Sequence, residues 1–225
     1  MKNTINNTIG ATIRQGILGG FSGRIGNVVG SSWKGRAVIK ARPLHVHDPK
    51  TAKQLLSRAR FAMVQKLLSL IGASTAAAGF KSKSRSITEA NYFVRTNYDA
   101  ITGSELDNLS VDYSLVSVAE GKLPGLELRG AISSDDPATV HVAWNDNSSL
   151  ELASAADTVR FVAVNPEAGA SMLFTSSRSE LSADLVVPTA WQGQAVHLYA
   201  FVISVSAANN NLVSDSVYAG KVTVA

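Results

Sequence analysis

From residue 109 onwards, apolar and polar residues alternate with a period of two, which is the pattern of half-buried β-strands. Turn-forming clusters separate the alternating runs, as at Asp135-Asp136-Pro137, and no helical spacing intervenes. We expect eight short strands, at residues 111–118, 126–132, 139–144, 159–164, 171–175, 181–186, 195–205 and 216–224. Strands spaced in this way predict an antiparallel β-sandwich of immunoglobulin or fibronectin type over residues 105–225.

Four aromatic residues in this region are expected in or beside the core of the sandwich: Trp144, Trp191, Tyr199 and Phe201. Stacking of these rings against a carbohydrate is the alternative.

Residues 48–104 have the spacing of helices. Asp48 as a cap and Pro49 at the first helical position predict that a helix begins there. A second helical segment is expected over residues 86–100. The first helix has an apolar stripe formed by Ala52, Leu55, Leu56, Ala59, Met63, Leu67, Leu70 and Ile71.

Residues 1–47 are expected to form a glycine-rich basic β arm. Eight glycines lie between Gly10 and Gly35, and glycine at this density disfavours a regular helix or an ordinary strand, so we expect a twisted arm or hairpin. A strand with one basic edge should follow over residues 34–42 and end at Pro43. The arm's large apolar residues are the predicted assembly interface: Phe21, Val28, Val29 and Trp33.

The charge of the chain is divided between two opposite halves. Residues 1–100 carry 16 Lys and Arg against 3 Asp and Glu, a formal charge of +13, and the remaining residues carry 5 against 14, which is −9. Because like charges repel, the basic half should be neutralised by nucleic-acid phosphate or by the acidic half of a neighbouring copy. The predicted contact residues are Arg36, Lys40, Arg42, Lys53, Arg58, Arg60, Lys81, Lys83 and Arg85.

Two motifs carry a family resemblance. They read GGFSGRIGNVVGSSWKG at residues 19–35 and PKTAKQLLSRARF at residues 49–61. With the basic strand between them and the tail after them, they resemble an uncharacterised family found mainly in Bacteroidota, whose members end in a fibronectin-like domain. The resemblance covers nearly the whole chain. Such openings also resemble those of small proteins in phage and prophage gene neighbourhoods, which implies a component of a virion.

Motifs for enzyme chemistry are weak in this chain. The Gly23-Arg24-Ile25-Gly26 run has neither a dinucleotide-binding nor a P-loop spacing. His45 and His47 are spaced for a metal pair on an extended strand, but exposed strand-end histidines are commoner. There is no Gly-x-Ser-x-Gly elbow beside His141 or His197, and the acidic residues of the C-terminal half lie mostly in turns. We expect no enzyme activity and no cofactor.

The sequence therefore predicts a non-enzymatic structural or assembly protein, a phage or phage-like virion component that oligomerises through its basic, glycine-rich half. A sequence-nonspecific nucleic-acid-binding protein and a surface adhesin or glycan-binding module are the alternatives. The expected partners are further copies of the chain or other virion proteins, with nucleic acid as an alternative. Without a signal peptide or an apolar run long enough to span a bilayer, the expected location is the virion or the cytoplasm.

Overall fold

The computed structural model describes residues 11–13, 20–33, 36–43, 48–81, 87–206 and 212–225. Over these residues the protein is mainly β, with three α-helices and several antiparallel sheets. Its contacts divide it into two compact units, Met1–Lys50 and Thr51–Ala225.

The first unit holds a four-stranded antiparallel sheet, here called the N-terminal sheet. Its strands are β1 (Ala11–Ile13), β2 (Phe21–Ile25), β3 (Val28–Trp33) and β4 (Arg36–Ala41), and each pairs with the next. A two-residue turn joins β2 to β3, and its first residue, Gly26, has a φ of 56°, which side-chain-bearing residues rarely adopt. The expected hairpin and basic strand are confirmed.

The expectation that no ordinary strand would persist among the glycines is wrong. Gly23 and Gly30 lie within β2 and β3 and face each other in register. A Cβ placed on Gly30 would stand 2.5 Å from ring atoms of Phe21, so glycine here makes room for an aromatic ring to lie on the sheet.

The second unit begins with helix α1, Ala52–Ile71. Its cap is Thr51 and not Asp48 as predicted, because Thr51 and Gln54 form a reciprocal capping box. The Thr51 hydroxyl accepts from the backbone N–H of Gln54, while the Gln54 side chain accepts from the backbone N–H of Thr51. These two bonds satisfy two backbone donors that a helix start otherwise leaves open.

Helices α2 (Ala73–Gly79) and α3 (Glu89–Thr96) complete the helical part. The second predicted helix is therefore shorter than expected, since a 3₁₀ turn at Tyr98–Ala100 follows it. Gly79 ends α2 against the backbone of another segment. A Cβ on Gly79 would stand 2.0 Å from the carbonyl oxygen of Val118, so a side chain there would push the two segments apart.

In the described part of the chain, eight further strands follow the helices. They are β5 (Ile101–Thr102), β6 (Ser110–Val111), β7 (Thr139–Ala143), β8 (Thr158–Asn165), β9 (Ala170–Ser177), β10 (Ser182–Val186), β11 (Ala195–Ile203) and β12 (Val217–Thr223). β12, β11, β8 and β9 form the main sheet in that order, and β7 pairs with β10 in the small sheet. β5 pairs with β6.

Six of the predicted strands are present, and two are not. Residues 111–118 leave their strand after Val111 and enter a 3₁₀ turn at Tyr113–Leu115, because Asp112 caps that turn through the N–H of Ser114. Residues 126–132 run beside the small sheet, where Leu128 makes an isolated bridge to Trp144.

Two hydrophobic cores lie on opposite faces of the main sheet. The inner core, between the main and small sheets, includes Phe161 and Leu198 of the main sheet and Trp144 and Leu185 from the small-sheet side. The outer core packs the helices on the other face. It joins Val162, Val164, Tyr199 and Phe201 of β8 and β11 to helical residues such as Val64, Leu67 and Phe93. The main sheet is therefore the middle of three layers.

This layering divides the chain differently from the segments expected at 1–47, 48–104 and 105–225. The helical segment and the following strands belong to one compact unit. They share the outer core, so the helices cover an apolar face of the main sheet that would otherwise meet water.

A buried ion pair fixes the loop that precedes the main sheet. Arg178 and Asp157 are both fully buried, with Nε of Arg178 3.5 Å from Oδ2 of Asp157. The guanidinium also donates to the carbonyl oxygen of Pro124 at 2.7 Å and to Oδ1 of Asn147. Its backbone carbonyl accepts from the indole N–H of Trp144 at 2.8 Å, which ties the ion pair to the inner core.

Candidate interaction surfaces

The strand register sorts the residues of the N-terminal sheet onto two faces, because directly paired residues share a face. Lys40 pairs with Val29, which pairs with Arg24. Arg36 and Lys40 are an even number of residues apart, so they lie on the same side of β4. We call this side of the sheet the basic face.

The predicted apolar anchors do not share one face. Val29 and the Trp33 position lie on the basic face, through their pairing with Lys40 and Arg36. Val28 and Phe21 lie on the opposite face. An assembly contact on either side would therefore use only half of the predicted interface.

The N-terminal sheet has almost no interior of its own. Among its residues whose exposure the structure describes, only Gly30 is buried. All six residues of β4 are exposed, with Ile39 64% and Val38 37% exposed, and Ile25 at the β2 end is 50% exposed. β4 is also the last strand in the sheet order. Exposed apolar side chains on an edge strand are the features that favour pairing with another chain.

Apart from Arg42 of the first unit, the other predicted basic contacts belong to the second unit or lie outside the described residues. Lys53, Arg58 and Lys81 are exposed, whereas Arg60 is half-buried. The guanidinium of Arg60 donates to the carbonyl oxygen of Gly103, so this side chain holds α1 against the segment after β5. Arg42 follows β4 and is exposed. Lys83 and Arg85 lie outside the described residues.

The weaker candidates for chemistry resolve into structural roles where they are described. Trp144, Trp191, Tyr199 and Phe201 are buried, so they are core residues as expected and offer no face to a carbohydrate. The Nδ1 of His141 lies 2.7 Å from Oδ1 of Asp184, on the surface of the small sheet, and this contact raises the pKa of His141. Within the described residues, no cluster of three or more His, Asp or Glu could hold a metal ion. His45 and His47 lie outside those residues.

A second surface feature is a groove beside α1, which we call the α1 groove. Its far end, about 570 Å³, is lined by Gln65, Lys66, Ser69, Leu70, Pro166 and Gly169. A narrow apolar middle of about 150 Å³ shares Lys66 and Leu70 with that end. The near end, about 370 Å³, shares Val111 and Tyr113 with the middle. The middle space therefore shares lining residues with each of the two ends, so the three spaces are neighbours on this surface.

The near end is built on a row of aromatic rings. The Tyr113 ring stacks on His197 with centroids 4.2 Å apart, and His197 and Tyr218 are also nearly parallel. The Nδ1 of His197 lies 2.8 Å from the Tyr218 hydroxyl oxygen. Burial lowers the pKa of His197, assisted by Lys221, so the ring is neutral near pH 7.

Sequence reasoning missed this row. It considered His197 only as a possible catalytic base, and it placed Tyr113 inside a strand. Tyr113 lies in a 3₁₀ turn rather than in a strand, because Asp112 caps that turn. Tyr218 of the last strand, β12, lines the same near end of the groove. The Asp112-x-Ser114 spacing is the one local signal that favours a turn here.

Among the described helices, none is long and apolar enough by itself to cross a membrane. α1 and α2 reach the required length and apolarity only when taken together, as a pair bent by 90°.

No curated protein matches the chain. Among solved structures, it is similar to the solution structure of the fn3 domain of the human collagen alpha-1(XX) chain, at 16% identity. That match covers 48% of this chain and 90% of the fn3 chain with a TM-score of 0.34, which is too low to bear on function. A protein-family model, described as a family of unknown function (DUF6266), matches residues 20–220. The match spans strands β2 to β4 of the N-terminal sheet, the helices and nearly all of the paired sheets, and the chain belongs to this family, DUF6266.

Proposed function

We propose that the chain is a non-enzymatic structural protein that assembles through its N-terminal sheet. The observation that carries the proposal is the composition of that sheet: four paired strands of which only Gly30 is buried, among the residues whose exposure the structure describes. A sheet of short strands gains little stability without an apolar face packed on something. A partner that covers this sheet supplies the missing interior.

The edge strand β4 supplies the means of contact. Its outer edge pairs with no other described strand, and Ile39 projects from it with 64% of its surface exposed. Addition of a strand from a partner would satisfy backbone donors and acceptors along β4 and cover Ile39 at the same time. The partners proposed are further copies of the chain or other virion proteins.

In this proposal, the opposite charges of the two halves of the chain orient one copy relative to the next. The basic face of the N-terminal sheet belongs to the half with a formal charge of +13, and the half from residue 101 carries −9. Opposite charges on two copies steer encounter and favour a head-to-tail arrangement. The virion as the setting is supported by the sequence resemblance alone.

We also propose that the C-terminal strands form an immunoglobulin or fibronectin-type β-sandwich. A main sheet in the order β12-β11-β8-β9 that faces the β7-β10 pair across one core supports the immunoglobulin or fibronectin-type arrangement expected from the sequence.

Nucleic-acid binding is the second candidate, favoured by the basic face. Arg24, Arg36 and Lys40 line one side of the sheet, and no described acidic residue lies within β2 to β4. Such a surface suits phosphate contacts that carry no sequence preference.

The test compares two equally exposed apolar residues. Ile39→Asp places a charge on β4, and Val186→Asp places one on β10, where Val186 is also 64% exposed. Sedimentation of the nucleic-acid-free full chain should show association that Ile39→Asp weakens by about tenfold or more, because covering one Ile contributes about 1.5–3 kcal/mol. Val186→Asp should leave association unchanged.

A full chain that remains monomeric at all concentrations, or equal effects of the two variants, would contradict the proposal. Measuring the affinity for a random-sequence DNA duplex at a series of salt concentrations distinguishes nucleic-acid binding from assembly. A monomer whose affinity for the duplex falls linearly with salt on logarithmic axes, and that loses binding in an Arg36→Glu, Lys40→Glu double variant, is a nucleic-acid-binding protein.

A further inference from the structure

The near end of the α1 groove is unusually rich in polar side chains for its size. Of the eight residues that line it, only Val111 lacks a polar side-chain atom. The others are Thr102, Ser110, Asp112, Tyr113, Ser114, His197 and Tyr218. A volume of about 370 Å³ lies within the range of small-ligand sites, which are ordinarily lined mostly by apolar groups. A ligand that forms hydrogen bonds with these polar side chains must carry hydrogen-bonding groups around most of its edge.

The polar groups are held in place by contacts outside the groove. The Tyr199 hydroxyl donates to the backbone carbonyl of Tyr113 at 2.6 Å, which fixes the turn that carries Tyr113 and Asp112. Tyr199 is itself fully buried in the outer core. On the other wall, the hydroxyl oxygens of Thr102 and Ser110 lie 3.0 Å apart across the β5–β6 pair. The site is therefore formed before any ligand arrives, and binding costs little ordering.

The charge at this end disfavours anionic ligands. The N–H and hydroxyl of Ser114 both donate to Oδ1 of Asp112 and hold the pKa of that carboxyl below its usual value, so it is ionised at neutral pH. His197 is neutral, for the reason given above. Among the eight residues that line this end none is cationic, so a phosphate or a carboxylate would meet a fixed negative charge.

The aromatic rings add an apolar face to this polar rim. Tyr113 lines both the near end and the apolar middle of the groove, so its ring stands at the border between the two. A sugar ring presents C–H groups on one face and hydroxyls around its edge, and this chemistry matches an aromatic face beside hydroxyl, imidazole and carboxylate groups.

We propose that the near end of the α1 groove binds a neutral saccharide, with a ring packed on Tyr113 and its hydroxyls bonded to Asp112, His197 and Tyr218. In this proposal a further sugar unit would pack in the neighbouring apolar space, which is lined by Lys66 and Leu70 and also by Tyr113. This site lies on residues of the second unit and is independent of assembly through the N-terminal sheet.

The experiment uses the full chain and a panel of neutral oligosaccharides built from glucose, mannose, galactose and N-acetylglucosamine. Binding is screened on an array and measured by NMR titration, with shifts mapped to Tyr113, His197 and Tyr218. Asp112→Asn and Tyr218→Phe keep the shape of the site. The first replaces a charged carboxylate oxygen by a neutral amide NH2 group, and the second removes a hydroxyl. Each should weaken binding by about tenfold, the effect of losing one hydrogen bond to a charged or well-oriented group.

Tyr92→Phe is the matched control for Tyr218→Phe. Its hydroxyl lies 3.4 Å from Oε1 of Glu120, and Tyr92 does not line the groove, so saccharide binding should be unchanged. Absence of shifts at the three ring residues with every saccharide at about 10 mM, a concentration sufficient for weak binding, overturns the proposal. The proposal is also overturned if neither Asp112→Asn nor Tyr218→Phe weakens saccharide binding. A proline-rich peptide is titrated for comparison, and shifts at the three rings with this peptide but with no saccharide would overturn the proposal as well.

Discussion

Replacement of Phe93 by alanine tests whether the helices and the paired sheets unfold as one body. Phe93 lies in α3, is fully buried, and belongs to the outer core with Val162 and Phe201 of the main sheet. Trp144 and Trp191 lie in the inner core, on the other side of that sheet. If the main sheet couples the two cores, damage at Phe93 must lower the stability that the two tryptophans report.

The size of the effect follows from the burial. Truncation of a fully buried phenylalanine to alanine costs about 3–5 kcal/mol in transfer and cavity free energy. Phe93 also meets Phe80 edge-on, with centroids 6.1 Å apart and an interplanar angle of 81°, and this contact is lost too. With a urea m-value of about 2 kcal/mol/M, the unfolding midpoint should fall by about 1.5–2.5 M.

The assay is urea unfolding followed by tryptophan fluorescence and by far-ultraviolet circular dichroism. Trp33→Phe in the background removes the third tryptophan, which lies in the N-terminal sheet. Phe61→Ala is the matched control in α1, because Phe61 is 51% exposed and its loss should cost less than about 1 kcal/mol. An unchanged fluorescence midpoint in Phe93→Ala, with helical signal lost separately, would refute the coupling of the layers.

Two further outcomes follow from charged side chains of the second unit. Arg178→Met leaves Asp157 buried without its cation and should lower the free energy of unfolding by about 3–5 kcal/mol in urea titrations, and adding Asp157→Leu should recover part of it; equal stability of the single variant and the parent would contradict this. The hydrogen bond to Asp184, with Asp136 and Asp135 nearby, raises the pKa of His141 above 6.5, so its contribution to stability is complete below that value and disappears as pH rises through the folded-state pKa. His141→Gln should abolish this pH dependence across the neutral range, and a proton titration of the ring by NMR that shows an unshifted pKa would contradict it.

Local patterns predicted six of the strands after residue 109 and most of the helical segment, but not the middle layer. Residues 161–164 and 198–202 are apolar without interruption, which indicates strands buried on both faces. The pattern does not say what covers the second face. Only the tertiary contacts of Val162 and Phe201 show that the helices do so.

The start of α1 shows how a stronger local signal can be overlooked. Asp48 and Pro49 form an acceptable helix start, but the Thr51 and Gln54 pair satisfies two backbone donors reciprocally, and the helix begins after it. The saccharide groove differs in kind. Its near end draws on Tyr113, His197 and Tyr218, which are distant in sequence, so no spacing rule could have brought them together.

The position of the main sheet between the helices and the small sheet has a consequence for synthesis on the ribosome. α1 ends at Ile71, whereas the β11 strand that helps to cover it ends at Ile203, more than 100 residues later. At about 5–20 residues per second, roughly 7 to 26 seconds pass between synthesis of the end of α1 and synthesis of the end of β11. We therefore expect chaperones that hold exposed apolar helices to bind the emerging chain during that interval.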